Sequence, residues 1–202
     1  MRIALYGGSF NPPHTGHVSV ARHAAESLKP DVFLWMPAGH PPHKALPGGS
    51  PTPAQRLEMS RLAAEGIAGV NVSDFEIIGG ARYTFDTAAA LKAEYNPDEI
   101  LLIMGADMFL SLESWYRANE LIADCPVHVY GRGGVRAEVC EYADMLCEKY
   151  GARVTVETHE APDISSTALR GLLERGGGAE FLPEKVLAYI AKEGLYGFPR
   201  KA

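Results

Sequence analysis

The sequence predicts a doubly wound parallel α/β sheet in a single domain spanning residues 1–202, on three observations. Short apolar runs of strand length alternate with longer helical stretches, the rhythm of strands joined by crossover helices. The first apolar run ends on a glycine pair, Gly7-Gly8, and a turn stiffened by Pro12 and Pro13, as a strand does where it hands over to a helix at a ligand site. Internal repeats and a linker-like composition shift are both missing, so one sheet accounts for the length.

The elements follow in order. Arg2-Ile-Ala-Leu-Tyr6 is a short buried strand, and a helix over 15–28 follows the proline pair. The next strand is 32–36, and 37–53, rich in Pro and Gly, is the only long loop, too short for a domain linker. Thr52-Pro53-Ala54-Gln55 is a capping box with proline at the first helical position, and it opens a helix over 54–65. Strands at 70–74, 100–104, 127–130 and 153–156 alternate with helices at 86–95 and 136–149. The chain then closes with helices at 166–175, ending in Arg175-Gly-Gly-Gly178, and 184–193, opened by Pro183-Glu184. In such a sheet ligands collect beyond the carboxyl ends of the strands, so the loops after residues 6, 36, 104 and 130 are expected to meet there.

Composition narrows the function classes. A formal charge of −6 argues against a nucleic-acid binder, which would present a basic face, but leaves small anionic ligands open. No apolar run approaches the ~18 residues of a membrane span, and Met1-Arg2 leads into a strand rather than a signal-peptide core, so a cytoplasmic chain is expected. Cys125, Cys140 and Cys147 are odd in number and lack close metal-ligand spacing, which fits reduced thiols.

Two segments carry chemistry. His14 and His17 are three apart, so once the chain turns helical near Thr15 they share a face beside the free N–H groups of the first turn. Imidazole donors at a positive helix end describe an anion site. The second segment, Asp163-Ile-Ser-Ser-Thr-Ala-Leu-Arg170, offers three hydroxyls, Arg170 and no acidic residue in the first helical turn, so an outside anion is expected to supply the counter-charge. The helix after His14 has the same gap, with no carboxylate until Glu26. Ser165 or Ser166 as a plain helix cap, Asp107 as a cap and Trp115 as core are the structural alternatives.

Gly8-Ser-Phe-x-Pro followed by His14-x-Gly-His17, taken with Ile164-Ser-Ser-Thr-x-Leu-Arg170, resembles the paired signature of bacterial nicotinate-nucleotide adenylyltransferases, members of the nucleotidyltransferase superfamily. Pro41-Pro-His-Lys44, Tyr83-Thr-Phe-Asp-Thr87, Gly105-Ala-Asp107 with Trp115-Tyr116, and Leu182-Pro-Glu-Lys-Val186 with Tyr189-Ile190 and Leu195-Tyr196 look like further blocks in that family's order. The resemblance implies a Rossmann-like nucleotidyltransferase fold and direct attack by the phosphate of nicotinate mononucleotide on the α-phosphorus of ATP, with Mg²⁺ arriving on the ATP. It also implies that His14, His17 and Arg170 are catalytic. ATP would be bound by Gly7, Gly8, Ser9, Phe10, His14, His17, Gly105, Asp107, Ile164, Ser165, Ser166, Thr167 and Arg170. The acceptor would be bound by Asn11, Lys44, Tyr83, Thr84, Asp86, Trp115, Tyr116 and Arg132, with Trp115 stacking on the pyridine, amides near Thr84 and Tyr116 reading the carboxylate, and Asp86 orienting the loop. The pattern departs at Gly133, where proline would follow Arg132.

Other readings stay open: an adenylyltransferase for nicotinamide mononucleotide or phosphopantetheine, a non-catalytic nucleotide-binding module, and a metal hydrolase built on His14-x-x-His17 and His40-x-x-His43. Neither histidine pair encloses the acid that a catalytic zinc motif usually carries. ATP and nicotinate mononucleotide are the expected partners, without nucleic acid or membrane, and a homo-oligomer is left open.

Overall fold

Six strands run parallel in the computed structural model, which describes residues 1–41, 46–80, 83–132 and 136–199. They are β1 (Arg2–Gly8), β2 (Val32–Pro37), β3 (Val70–Val72), β4 (Glu99–Gly105), β5 (Val127–Arg132) and β6 (Val154–Ala161), in the order β3-β2-β1-β4-β5-β6. This is the doubly wound order: the chain works outward from β1 to β3, returns to lay β4 beside β1, then works outward the other way. All carboxyl ends therefore lie along one edge, and the crevice where the order reverses opens between β1 and β4.

Side chains alternate across the sheet, as extended backbone requires. Ala4, Tyr6, Phe33 and Trp35 face one layer of helices, and Ile3, Leu5, Leu34 and Met36 face the other. The first layer holds α1 (Thr15–Leu28), α2 (Pro53–Ala64), α8 (Ser166–Glu174) and α9 (Glu184–Glu193), which bury Val20, Met59, Leu169 and Ile190. The second holds α4 (Thr84–Tyr95), the short α5 (Ala106–Phe109), α6 (Ala118–Asp124) and α7 (Ala137–Tyr150), with Leu91, Phe109, Leu121 and Leu146 inward. Each such side chain contributes about 1.5–3 kcal/mol of burial free energy, so two full layers hold the sheet flat-on from both sides. Another short helix, α3 (Phe75–Ile78), lies after β3. No helix among the described residues is long and apolar enough to cross a membrane.

The expected elements are present, with boundary corrections that have physical causes. β6 runs to Ala161 rather than 156, because it is an edge strand whose polar residues Glu157, Thr158 and His159 resemble a loop. At the opposite edge β3 stops at Val72 rather than 74. Helix α4 begins at Thr84 instead of 86, and α3, α5 and α6 were not expected, being one or two turns long with too little periodicity to detect.

Candidate active site

The loop after β1 turns back beneath its own strand. Phe10 takes a left-handed conformation (φ 43°), which drives its ring inward. There it meets Tyr6 at 5.3 Å, Trp35 at 5.0 Å and the edge of His17 at 5.0 Å between centroids. Phe10 is thus the floor on which His17 rests. The peptide Asn11-Pro12 is cis.

His14 is extended (φ −135°, ψ 173°) and forms the N-cap of α1, which is why the helix starts at Thr15. Its backbone N–H donates to Nδ1 of His17 at 3.2 Å, so a neutral His17 bears its proton on Nε2. The two rings stack face to face at 3.7 Å with 29° between planes. Gly16 makes a close approach: a Cβ there would come within 3.0 Å of the His14 ring and 3.2 Å of the Pro162 carbonyl oxygen, tighter than ordinary contact. The start of α1 therefore packs against the segment leading into α8.

Further contacts fasten the second segment to the first. Ser166 donates from Oγ to the Pro12 carbonyl at 3.0 Å, and Arg170 donates from Nη1 to the Asn11 carbonyl at 2.8 Å and from Nη2 to Thr167 Oγ1 at 3.2 Å. Ser165 caps α8 by accepting from the Ala168 N–H at 3.1 Å, and Ile164 is buried just before it. Helices α1 and α8 consequently start side by side, and neither has an acidic residue in its first turn. Helix α2 shares that lack but satisfies itself through Thr52 and Gln55. The starts of α1 and α8 are capped by His14 with His17 and by Ser165, but neither carries a counter-charge, and beside His17, Thr167 and Arg170 they form a candidate site for several negative charges.

Asn11 is fully buried and its amide is engaged at both ends: Nδ2 donates to Ser50 Oγ at 3.1 Å, and Oδ1 accepts from the Tyr196 hydroxyl at 2.7 Å. Burial pushes the Tyr196 pKa up, so it remains a donor. A cavity of about 410 Å³ opens here, lined by Ser50, Arg170, Glu174 and Tyr196 among others.

At the mouth of the crevice, a Cβ on Gly7 or Gly105 would meet no atom within 4 Å. Ser9 is half-buried in the adjoining loop. Asp107, in the first turn of α5, is exposed and lies 3.6 Å from Arg136. A second group gathers the expected acceptor residues. Tyr83 is the N-cap of α4 and Thr84 its first residue, with Asp86 exposed in the first turn. Tyr116 stacks on Tyr83 at 4.6 Å and meets the Phe85 edge at 6.3 Å, while the Arg117 guanidinium lies 3.9 Å over the Phe85 ring. Trp115 is half-buried against the α4–α7 side of the core. Lys44 and His43 lie outside the described residues, and of Arg132 only the backbone, at the end of β5, is described.

The expected site residues do not include Arg117, Arg56 or Tyr196, the last of which appears only as the end of a family block. Arg56 had a readable signal, since it shares a helical face with Met59, Ser60 and Ala63, all buried.

A family model described as cytidylyltransferase-like matches residues 5–172, and the chain belongs to that family. Its likeness to curated proteins is specific. It is 39% identical over 204 residues to a protein of Gloeobacter violaceus described as "Probable nicotinate-nucleotide adenylyltransferase", covering 100% of this chain and 98% of the other. A Carboxydothermus hydrogenoformans protein of the same description is 35% identical, with 96% and 98% covered. The structure is also similar in fold to the Plasmodium falciparum nicotinic acid mononucleotide adenylyltransferase complexed with NaAD, with a TM-score of 0.80 at 16% identity and 99% of both chains covered. A complex of that protein with APC gives 0.76, again at 16% identity and 99% coverage of both chains.

Proposed function

We propose that this chain transfers the adenylyl group of ATP to nicotinate mononucleotide, giving nicotinate adenine dinucleotide and pyrophosphate for NAD biosynthesis. The observation that carries the reading is the pairing of two acid-free helix N-termini, clamped together by the Ser166–Pro12 and Arg170–Asn11 hydrogen bonds at the β1 end of the crevice. The full-length similarity to adenylyltransferases of that description supports the acceptor.

In the proposed reaction a phosphate oxygen of the acceptor bonds to the α-phosphorus as the bond from that phosphorus to the bridging oxygen breaks. The electron pair leaves with pyrophosphate. No covalent enzyme intermediate is needed, because a phosphate dianion is already a nucleophile, so catalysis rests on positioning and on neutralising charge. His14, His17 and the first-turn amides of α1 hold the α-phosphate, with Phe10 fixing the His17 ring from below. The α8 amides, Thr167 and Arg170 hold the outer phosphates, with Ser165 shaping that helix end and Ser166 bracing it against Pro12. Asp107 takes ribose hydroxyls beside Gly105. Trp115 faces the pyridine, the amides near Thr84 and Tyr116 take its carboxylate, and Lys44 adds positive charge. Arg132 belongs to the acceptor side.

The phosphate-side groups are donors and cations, and no cluster of His, Cys, Asp or Glu among the described residues could hold a metal. They fit a metal carried by the phosphates rather than by the protein. Mg²⁺, bound to the triphosphate, would withdraw charge from the leaving pyrophosphate. The proposed compartment is the cytoplasm, where unpaired cysteines such as the buried Cys125, its pKa pushed up to about 11 by burial, stay reduced.

The test is pyrophosphate release from ATP with nicotinate mononucleotide, nicotinamide mononucleotide and phosphopantetheine as separate acceptors. Fast release with the first supports the reading. Release only with phosphopantetheine, or with no acceptor, overturns it.

A further inference from the structure

Arg56 is fully buried in α2, behind the loop that carries the expected ATP-binding residue Ser9. The capping box at Thr52 and Gln55 fixes where α2 begins, and so where Arg56 projects. Its Nη1 donates to the Ser9 carbonyl at 2.8 Å, and its Nη2 donates to the carbonyls of Ala38 at 2.6 Å and Gly39 at 3.0 Å. Ser9 belongs to the loop that carries His14, and Ala38 and Gly39 open the loop after β2. β1 and β2 pair up to Gly8 and Pro37, and the Ala38 N–H still donates to the Gly8 carbonyl at 2.8 Å. Beyond that point the two chains part, and the guanidinium spans the gap.

The loop after β2 is also held from its other side. A Cβ on Gly39 would come within 2.5 Å of the Glu76 carbonyl oxygen, so the backbone there is seated against α3. Burial pulls the Arg56 pKa down, and none of the ion pairs among the described residues includes it. A buried cation without a carboxylate is costly, and an apolar side chain would fill the same space more stably. Packing therefore does not account for an arginine, whereas three carbonyls presented to one planar fork do.

We propose that Arg56 is a positioning residue of the adenylyl-transfer site: it locks the loop running from Ser9 to His14 onto the loop after β2, and so fixes where the triphosphate sits relative to the attacking phosphate. The inference rests on the reaction proposed above. It requires no contact between Arg56 and substrate, because the effect passes through the Ser9 carbonyl to the backbone carrying His14 and His17.

Arg56→Lys keeps the charge but loses the fork, and Arg56→Ala leaves a guanidinium-sized space. For Arg56→Lys, kcat/KM for ATP should fall on the order of 10²-fold, the penalty for a displacement near 1 Å, with KM for the acceptor unchanged. Millimolar guanidinium chloride should restore part of the Arg56→Ala activity, and sodium chloride at equal ionic strength should not. A folded Arg56→Lys with wild-type kcat/KM overturns the proposal. So does an Arg56→Ala defect that follows the unfolded fraction by circular dichroism and is not relieved by guanidinium, and so does failure of both variants to fold, which would make Arg56 a folding residue. If wild type releases pyrophosphate with no acceptor, it is the reaction that fails. ATP affinity by calorimetry then decides for Arg56: weakening in Arg56→Lys sustains its role at the phosphate loop, and unchanged affinity ends it.

Discussion

Arg170 donates from Nη1 to the main-chain carbonyl of Asn11 at 2.8 Å, across a separation of 159 residues. The bond ties the helix after the last strand to the loop after the first, so the two segments proposed to hold phosphate are joined directly. Arg170 is a clasp for the loop that carries His14, and in the proposed reaction it is also a charge for the outer phosphates.

Substitution separates these roles. His17→Ala and Arg170→Ala should each lower turnover about 10²–10³-fold, the usual loss for one positioned donor to developing charge. Arg170→Ala should also lose about 1–2 kcal/mol of unfolding free energy, since the Asn11 carbonyl loses its charged donor, while His17→Ala should lose less. Urea titration beside steady-state kinetics reads both quantities. Near-wild-type turnover in either folded variant would remove that residue from the mechanism.

Tyr196→Phe tests the other end of Asn11. It removes only the hydroxyl that reaches Asn11 Oδ1 and leaves that buried acceptor unpaired, at an expected loss of about 1–3 kcal/mol. The urea midpoint should fall with an unchanged slope, and turnover should fall less than in His17→Ala. An unaltered midpoint would mean that the amide finds another donor.

The sheet also carries a pH-sensitive contact. His159 on β6 bonds to Ser19 of α1 at 2.8 Å and stacks on His23 at 4.3 Å, and burial, then the neighbouring His23, lower its pKa. The unfolded chain therefore binds this proton before the folded one. Stability should hold at neutral pH and fall as pH drops through the unfolded value near ~6.5, continuing towards the lower folded value. Melting curves from about pH 7.5 to 5.5 should show the decline for wild type and a shallower one for His159→Gln. Parallel declines would assign it to other groups.

The fold was legible because its interior strands are continuous apolar runs: Ile100 to Met104 reads as a strand without any partner in view. The edges were not, since β6 displays polar residues that suit solvent as well as a sheet. Of the site, His17, Thr167 and Arg170 could be read locally, from hydroxyl, imidazole and guanidinium groups near helix starts without acids. The place of Arg56 on the buried face of α2 was legible too, but the contacts of Arg56 and Tyr196 were not, because they reach carbonyl and amide groups 47 and 185 residues away that only the folded chain brings together. Asn11, expected at the acceptor, holds Ser50 and Tyr196 through its side-chain amide.

In the proposed reaction, substrate choice rests with the second group. Helix α4 starts at Thr84, two residues earlier than its pattern suggested, so the amides of its first turn stand at the sheet's carboxyl edge beside Tyr83 and Tyr116, where Arg117 lies over Phe85. An acceptor carboxylate offers two oxygens to N–H groups, whereas an amide replaces one with NH₂, placing donor against donor. A site built to hydrogen-bond one group rejects an analogue that leaves its donors unpaired, so nicotinate mononucleotide should be preferred over nicotinamide mononucleotide by at least ~10² in kcat/KM. The Asp86 carboxylate in the same turn sharpens the test. Asp86→Asn alters the residue expected to orient this loop, so it should raise KM for the acid more than for the amide. Competition kinetics with both acceptors present measures the ratio directly. Equal kcat/KM for acid and amide would leave adenylyl transfer standing but eliminate a carboxylate-reading site at Thr84 and Tyr116.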